Sequence, residues 1–351
     1  MDNDSMLRPS VTSLASTTMP AVSRLVAPID VLLLLMAVIW GTNYAIIKHA
    51  FTEMEPQAFN ALRMIVASST FVAVMAWMQW RERRRGAVPG TEGSLASIFH
   101  TPERVTGREW LGFVGLGVVG QFFYQYWFIS GLSQTSVANS ALLIAATPVL
   151  IAIITGVFGK EPVGWRHWAG AALSLAGIYI VVGHGASIGG SSLRGDVTMS
   201  AAVVCWTIYT LGARPLMRRH SPVGVTGISM LIGSLLYVPA VWSHLRSLNV
   251  ATVSGVTWFS IVYSALFALC VAYTIWYAAV REIGSARTSI YSNLVPIVAM
   301  LTAVVFLGES LGPRKIIGAV AVLAGVALTR MGAAKLLAPA ESVAGPPCPS
   351  G

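Results

Sequence analysis

Few side chains in this apolar chain are equipped to do chemistry. Trp40, Tyr44 and Lys48 are spaced i, i+4, i+8, so a helix would stack them on one face with Asn43 beside it. Arg63 opens the next apolar stretch. Gln121 sits mid-way along another, with Tyr124 and Gln125 one turn on, and Trp206 and Tyr209 share a third. A mid-membrane amide needs a hydrogen-bond partner from a neighbouring helix, water or a bound solute. Aromatic rings with a polar edge suit a lining for small organic solutes. A cation facing an anionic group is the functional reading of Lys48 and Arg63, and the planar Arg fork fits a carboxylate better than a Lys point charge. The plainer alternative for both is snorkelling to the outer headgroups. The candidate substrate-binding residues are therefore Trp40, Asn43, Tyr44, Lys48, Arg63, Gln121, Trp206 and Tyr209. Six are expected to line a central cavity, with Lys48 and Arg63 near its outer end.

Catalytic chemistry finds no footing. The six His (His49, His100, His167, His184, His220, His244) lie in tails, loops or span ends without ligand spacing. There is no His-Glu-x-x-His and no Gly-x-x-x-x-Gly-Lys-Ser/Thr loop. Cys205, Cys270 and Cys348 are scattered. The reading is of a chain that is not an enzyme and has no cofactor or metal. An integral-membrane enzyme is the remote alternative, and it would need a nucleophile–base or metal cluster. No Asp or Glu lies near the middle of a span, which weighs against a carboxylate proton relay.

These residues must be positioned by membrane helices. Of 351 residues, 55% are apolar and 11% charged, against about 25% charged in soluble domains. Ten stretches approach the length of about 20 apolar residues that a bilayer requires. They are 31–51, 58–80, 110–132, 136–158, 164–183, 196–214, 223–243, 257–279, 285–307 and 314–332.

The chain repeats itself. Pro148, Glu161, Gly164, Arg166, Gly170 and Gly177 recur as Pro296, Glu309, Gly312, Arg314, Gly318 and Gly325, all at an offset of 148. Trp40 matches Trp206 at an offset of 166, and the surplus falls in the basic connection Arg81–Gly107. Five spans per unit is odd, so the second unit must be inverted, the plan of many secondary transporters. The fold class is all-α integral membrane, ten transmembrane helices as two inverted five-helix repeats. Residues 1–27 form a cytoplasmic tail, 28–183 and 184–332 the two repeats, and 333–351 a disordered tail. With the N-terminus inside, 17 of the 23 Lys and Arg fall on the cytoplasmic side and 6 outside. This places both termini in the cytoplasm and explains the net charge of +9 without nucleic acid.

Other residues receive structural readings. Tyr273, Trp276, Tyr277 and Tyr291 lie towards the cytoplasmic side, and an interfacial belt is the reading for Trp276. Glu161 and Glu309 precede the fifth span of each repeat, where a helix N-terminus favours a carboxylate. Gly170/Gly177 and Gly318/Gly325 offer close helix packing.

The stretch Ile39-Trp40-Gly41-Thr42-Asn43-Tyr44-Ala45-Ile46-Ile47-Lys48 combines with Pro56, Ala61-Leu62-Arg63, Gly159-Lys160-Glu161, Gly308-Glu309 and the Gly-rich fifth spans. The combination resembles the EamA-like branch of the drug/metabolite transporter superfamily over about residues 31–331. The resemblance implies two inverted five-helix repeats around a central cavity. It also implies a secondary transporter, an exporter of small metabolites such as amino acids, in the cytoplasmic (inner) membrane. The implied partners are a small-molecule substrate and the lipid bilayer, with a homodimer left open. Sugar phosphates or nucleotide-type metabolites are the alternative cargo, but they would call for more midplane Lys and Arg. The second half departs from the pattern: Cys205-Trp206-Thr207-Ile208-Tyr209 lacks the Gly after Trp, and Ser229 stands where Arg63 would recur.

Overall fold

The computed structural model describes residues 22–85, 105–158, 165–182, 193–283, 288 and 291–337. Its elements are helices: α1 Val22–Ala50, α2 Pro56–Arg85, α3 Gly107–Leu116, α4 Tyr124–Gln134, α5 Val137–Ala145, α6 Thr147–Phe158 and α7 Trp165–Val182. They continue as α8 Leu193–Met217, α9 Pro222–Ala240, the short α10 Trp242–Arg246, α11 Gly255–Tyr263, α12 Ala272–Ile283, α13 Leu294–Leu307 and α14 Pro313–Leu337. A π-helical segment, Gly117–Phe123, joins α3 to α4, and another, Ser264–Val271, joins α11 to α12.

Local chemistry sets the helix ends. Thr106 and Glu109 close a capping box on α3. Ser136, Ser221 and Ser254 accept from backbone N–H groups at the starts of α5, α9 and α11. Gly308 ends α13 at φ 63°, a left-handed conformation that a Cβ would strain. The break between α5 and α6 falls at Ala146, just ahead of Pro148, whose missing N–H and ring oppose an unbroken helix.

Five helical stretches are long and apolar enough to cross a bilayer: Ile29–Ala50, Pro56–Arg81, Leu193–Met217, Pro222–Ala240 and Gly255–Ile283. Val137–Ile151, Trp168–Ile180 and Leu294–Leu307 are shorter apolar helices. The rod from Gly107 to Gln134 is long enough, but Gln121, Tyr124, Gln125 and Tyr126 dilute its apolarity. Large apolar side chains such as Leu111, Val305 and Phe306 face outwards, as lipid contact requires.

Several close contacts pair matching positions of the two halves. Ser68 and Ser234, 166 apart, share a hydrogen bond of 2.5 Å. Ser174, 148 residues before Val322, donates to its carbonyl at 3.1 Å. A Cβ on Gly177 would meet Gly318 and Val322, and one on Gly325 would meet Gly170 and Ser174, the same contacts with the halves exchanged. The two π segments also lie nearly 148 residues apart, Gly117–Phe123 corresponding to positions within Ser264–Val271.

The ends of the chain differ from expectation where they are described. Helix α1 starts at Val22, inside the stretch read as a tail. Helix α14 continues to Leu337 through Ala333, Ala334, Leu336 and Leu337, strong helix formers that carry it past residue 332. The remaining tail residues, most of the connection Arg81–Gly107, and Glu161 lie outside the described residues.

Candidate functional site

Aromatic side chains from both halves meet in the middle of the bundle. Trp40 packs edge-on against Trp206 at 6.1 Å and Tyr273 at 5.8 Å, and tilted against Trp276 at 5.7 Å. Tyr124 lies 5.1 Å from Trp206, which also touches Tyr209 at 5.7 Å. Tyr277 stands edge-on to Tyr209 at 5.8 Å, and Tyr44 joins through Phe128 at 5.5 Å. Such pairs each contribute about 0.5–1.5 kcal/mol beyond area burial. The indole Nε1 of Trp40 donates to the carbonyl of Ala268 at 3.0 Å, within the second π segment. A π segment departs from regular i→i−4 pairing and is a place where a carbonyl can turn to an outside donor.

Trp276 is buried among these rings, so the interfacial-belt reading is overturned. Tyr273 and Tyr277 are buried with it, and they were missed as site residues because their spacing also suits a headgroup belt.

Arg63 lies against this cluster and is 1% exposed. Its Nε and Nη2 both donate to Asn60 Oδ1, at 3.0 and 2.6 Å. The opposite Nη1–Nη2 edge donates to Ser264 Oγ at 3.1 Å and Gln125 Oε1 at 2.6 Å. All these acceptors are neutral, and among the described residues no carboxylate pairs with Arg63. The neutral phenols of Tyr273, Tyr124 and Tyr237 lie around it. Snorkelling is therefore not its role: the guanidinium turns inwards and is held there by four hydrogen bonds.

Buried amides add unspent polarity. Gln125 Nε2 and Asn43 Oδ1 have no partner in the protein. Leaving such groups dry is costly, so each is ready to bond a solute or water. The Tyr209 ring rests on Gly120, where a Cβ would come within 2.0 Å, and its hydroxyl shares a hydrogen bond with Ser229 Oγ at 3.1 Å.

A profile of the EamA-like transporter family matches residues 27–183 and 193–331. The chain belongs to the EamA-like transporter family. It is a multi-pass membrane protein of the transporter class. It is 24% identical over 315 residues to the "Uncharacterized transporter YyaM" of Bacillus subtilis, covering 88% of this chain and 95% of that protein. A relative from Salmonella typhimurium, named "Probable amino-acid metabolite efflux pump", is 26% identical over 86% of this chain and 94% of its own length. One from Streptantibioticus cattleyicolor, named "Probable terminal-alkyne amino-acid exporter", is 28% identical over 60% of this chain and 70% of its own. A solved crystal structure superposes with a TM-score of 0.59 at 18% identity, covering 89% of this chain and 99% of the other, and so shares the fold.

In this EamA-like chain Lys48 sits apart from the aromatic cluster. Its Nζ donates to the carbonyls of Leu132, Ser133 and Thr135 at 2.7, 3.0 and 2.9 Å. Three ammonium protons thus cap the C-terminal end of α4, whose last carbonyls have no helical partner. Beside it, Asp196 accepts from Thr135 at 2.5 Å and from Asn139 at 3.3 Å. Glu309 Oε1 accepts from Val137 N at 2.7 Å and Oε2 from Ala138 N at 3.4 Å. Glu309 therefore serves the N-terminus of α5 in the first half rather than that of α14, the helix it precedes.

Matching latches tie the two ends of the bundle. Glu53 accepts from Ser254 N at 2.9 Å and Thr257 Oγ1 at 2.8 Å, which holds its carboxyl below the usual range. At the other end Arg219 Nη1 pairs with Glu109 at 2.9 Å, with His220 Nε2 3.3 Å from the same oxygen. Glu53 and Arg219 are counterparts at the offset of 166, and Thr257 and Glu109 at 148.

The structure brings Trp40, Tyr44, Trp206 and Tyr209 into one cluster, sets Arg63 against it, and leaves Lys48 as a helix cap. Asn60 and Ser264 escaped sequence reasoning. Asn60 precedes Arg63 by one turn, a spacing that could have flagged it, whereas Ser264 gives no signal in the sequence.

Proposed function

We propose that this protein is a secondary transporter that exports small amphipathic metabolites, amino acids or their relatives, across the cytoplasmic membrane by alternating access. The observation that carries this reading is Arg63: a fully buried cation with only neutral partners, set against an aromatic cluster drawn from both halves. A structural Arg at this depth would be paired; one awaiting a solute need not be. The names of the Salmonella typhimurium and Streptantibioticus cattleyicolor relatives, which speak of amino-acid export, support the cargo class.

Ten helices in two inverted repeats, with both termini cytoplasmic, are part of the same reading. Contacts such as Gly177 with Gly318 and Gly325 with Gly170 support inversion, because they run in opposite directions along the two helices. Two like-directed helices paired by a twofold would match equal heights instead. Under this orientation the Lys48–Glu309 end faces outside and the Glu109–Arg219 end faces the cytoplasm.

The test is counterflow of radiolabelled amino acids in proteoliposomes. Accumulation driven by an unlabelled internal pool, with the solute recovered unchanged, is expected. Conversion of the solute, or no movement of any metabolite in a broad panel, would sink the proposal.

A further inference from the structure

The charge balance around Arg63 says more than that a carboxylate is welcome. We propose that the site selects solutes of net charge −1, an apolar monocarboxylate or an amino-acid derivative without a free ammonium, over the zwitterionic amino acid itself. The inference rests on the transporter reading above and narrows its substrate class.

Asn60 Oδ1 holds one edge of the guanidinium, at Nε and Nη2. The Nη1–Nη2 edge faces Gln125 and Ser264, two neutral acceptors on other helices. That edge has the fork geometry that binds a carboxylate end-on with two parallel hydrogen bonds. An incoming carboxylate replaces Gln125 Oε1 and Ser264 Oγ, and both side chains can turn to bond the anion from its flanks. Gln125 Nε2, which has no partner, is already a spare donor for this purpose.

The ammonium of an amino acid meets a different environment. Among the described residues no carboxylate pairs with Arg63, and partnerless acceptors in the core, such as the Asn43 amide oxygen, are neutral. The aromatic faces of Trp40, Trp206, Tyr124 and Tyr273 offer cation–π attraction. They cannot cancel a full charge. A zwitterion therefore leaves the buried site with a net positive charge, as it was when empty, whereas a monoanion neutralises it. Neutralisation inside a low-dielectric core is where charge complementarity counts most. The repeat plan sharpens the point, since Ser229 replaces Arg63 in the second half and the positive charge is not doubled. A dianion would overshoot.

The experiment measures equilibrium binding to the purified full-length protein in detergent, by quenching of the tryptophans in the cluster. Three solutes share one skeleton: 3-phenylpropanoate (one negative charge), L-phenylalanine (zwitterion) and 3-phenylpropanamide (uncharged). 3-Phenylpropanoate is expected to bind more tightly than either of the others by about tenfold or more, the low end for a close buried charge pair. Arg63→Gln should erase the advantage. Ser264→Asp places a carboxylate beside the guanidinium and should shift the preference towards L-phenylalanine, so the proposal stays testable if Arg63→Gln does not fold. Equal binding of propanoate and propanamide, or tighter binding of L-phenylalanine by the unmodified protein, would overturn the charge rule. So would a propanoate preference that survives a folded Ser264→Asp. Because binding is read without transport, failure here leaves the counterflow result standing, and the reverse.

Discussion

The hydroxyls of Ser68 and Ser234 lie 2.5 Å apart, although the two residues are 166 positions apart and occupy the same place in their respective halves. A residue meets its own counterpart only close to a twofold axis. Ser68 Oγ also lies 3.5 Å from the Met230 carbonyl, and Ser234 Oγ lies 3.3 Å from that of Met64, a second exchange-related pair. In a background without native cysteines, Ser68→Cys with Ser234→Cys should form a disulfide under mild oxidation. With the protein cut in the connection Arg81–Gly107, the two pieces should then migrate together without reductant. Full separation of the pieces would contradict this contact.

The glycines of α7 and α14 let two backbones touch. A Cβ on Gly325 would lie 2.4 Å from Ser174 Oγ and 2.5 Å from Ser174 N, so the helices would have to part. Gly325→Ala should destabilise the protein by about 1–3 kcal/mol, as overpacking does. Gly312→Ala, with nothing within 4 Å of its Cβ, is the control and should be close to neutral. Thermal unfolding in detergent gives the comparison, and similar losses for both would dispose of the packing argument.

Much of this was legible in the sequence. Apolar run lengths located the helices, and fixed offsets tied Trp40 to Trp206 and Gly177 to Gly325 before any contact was known. What sequence could not supply was direction. Lys48 and Arg63 look alike as cations near one end of a span, yet one turns to a helix terminus and the other into the core. That choice depends on which carbonyls and amides neighbouring helices present, here Leu132 to Thr135 for Lys48 and Asn60, Gln125 and Ser264 for Arg63. Trp276 was misplaced for a related reason: a ring at a given depth suits a headgroup belt or a core equally well, and only the helix's rotation decides.

Lys48 and Arg63 should consequently fail in different ways. Lys48→Met strands the carbonyls of Leu132, Ser133 and Thr135 and should lower stability by about 1.5–3 kcal/mol, the worth of a charged hydrogen bond. The relative affinities for solutes of different charge should hardly move. A change of solute preference in Lys48→Met, with stability intact, would return Lys48 to the binding site.

Glu109 gives the protein an acid-sensitive helix start. Hydrogen bonds from the Thr106 backbone and hydroxyl, aided by His220 and Arg219, push its carboxyl down to about 2. A group depressed on folding adds stability that is fully present above its unfolded value, about 4.5, and is lost as pH falls towards 2. Amide exchange at Thr106 to Trp110 should therefore quicken across that window relative to the base trend, and Glu109→Gln should abolish the pH effect. An identical pH profile in Glu109→Gln would show that the capping box does not carry it.

Glu309 links the halves at the end of the bundle assigned to the outside. It stands between α13 and α14, yet its carboxylate caps the first two N–H groups of α5. Lys315 reaches Ser136 Oγ, 3.5 Å away at the same junction. Under the alternating-access proposal, opening this end would part α5 from Glu309, so the cap would stabilise the closed arrangement. Glu309→Gln keeps the shape but removes the charge that favours a helix N-terminus, which weakens the closed state by about 0.5–2 kcal/mol, the range for losing a cap. Such a loss changes the open fraction several-fold. A cysteine at Ser136 should accordingly react faster with an impermeant maleimide in intact cells when Glu309→Gln is also present. A cysteine at His244, in the connection between α9 and α11 on that side, should be unaffected. Equal labelling of Ser136→Cys with and without Glu309→Gln would mean that the junction is static and that opening, if it occurs, runs through another seam.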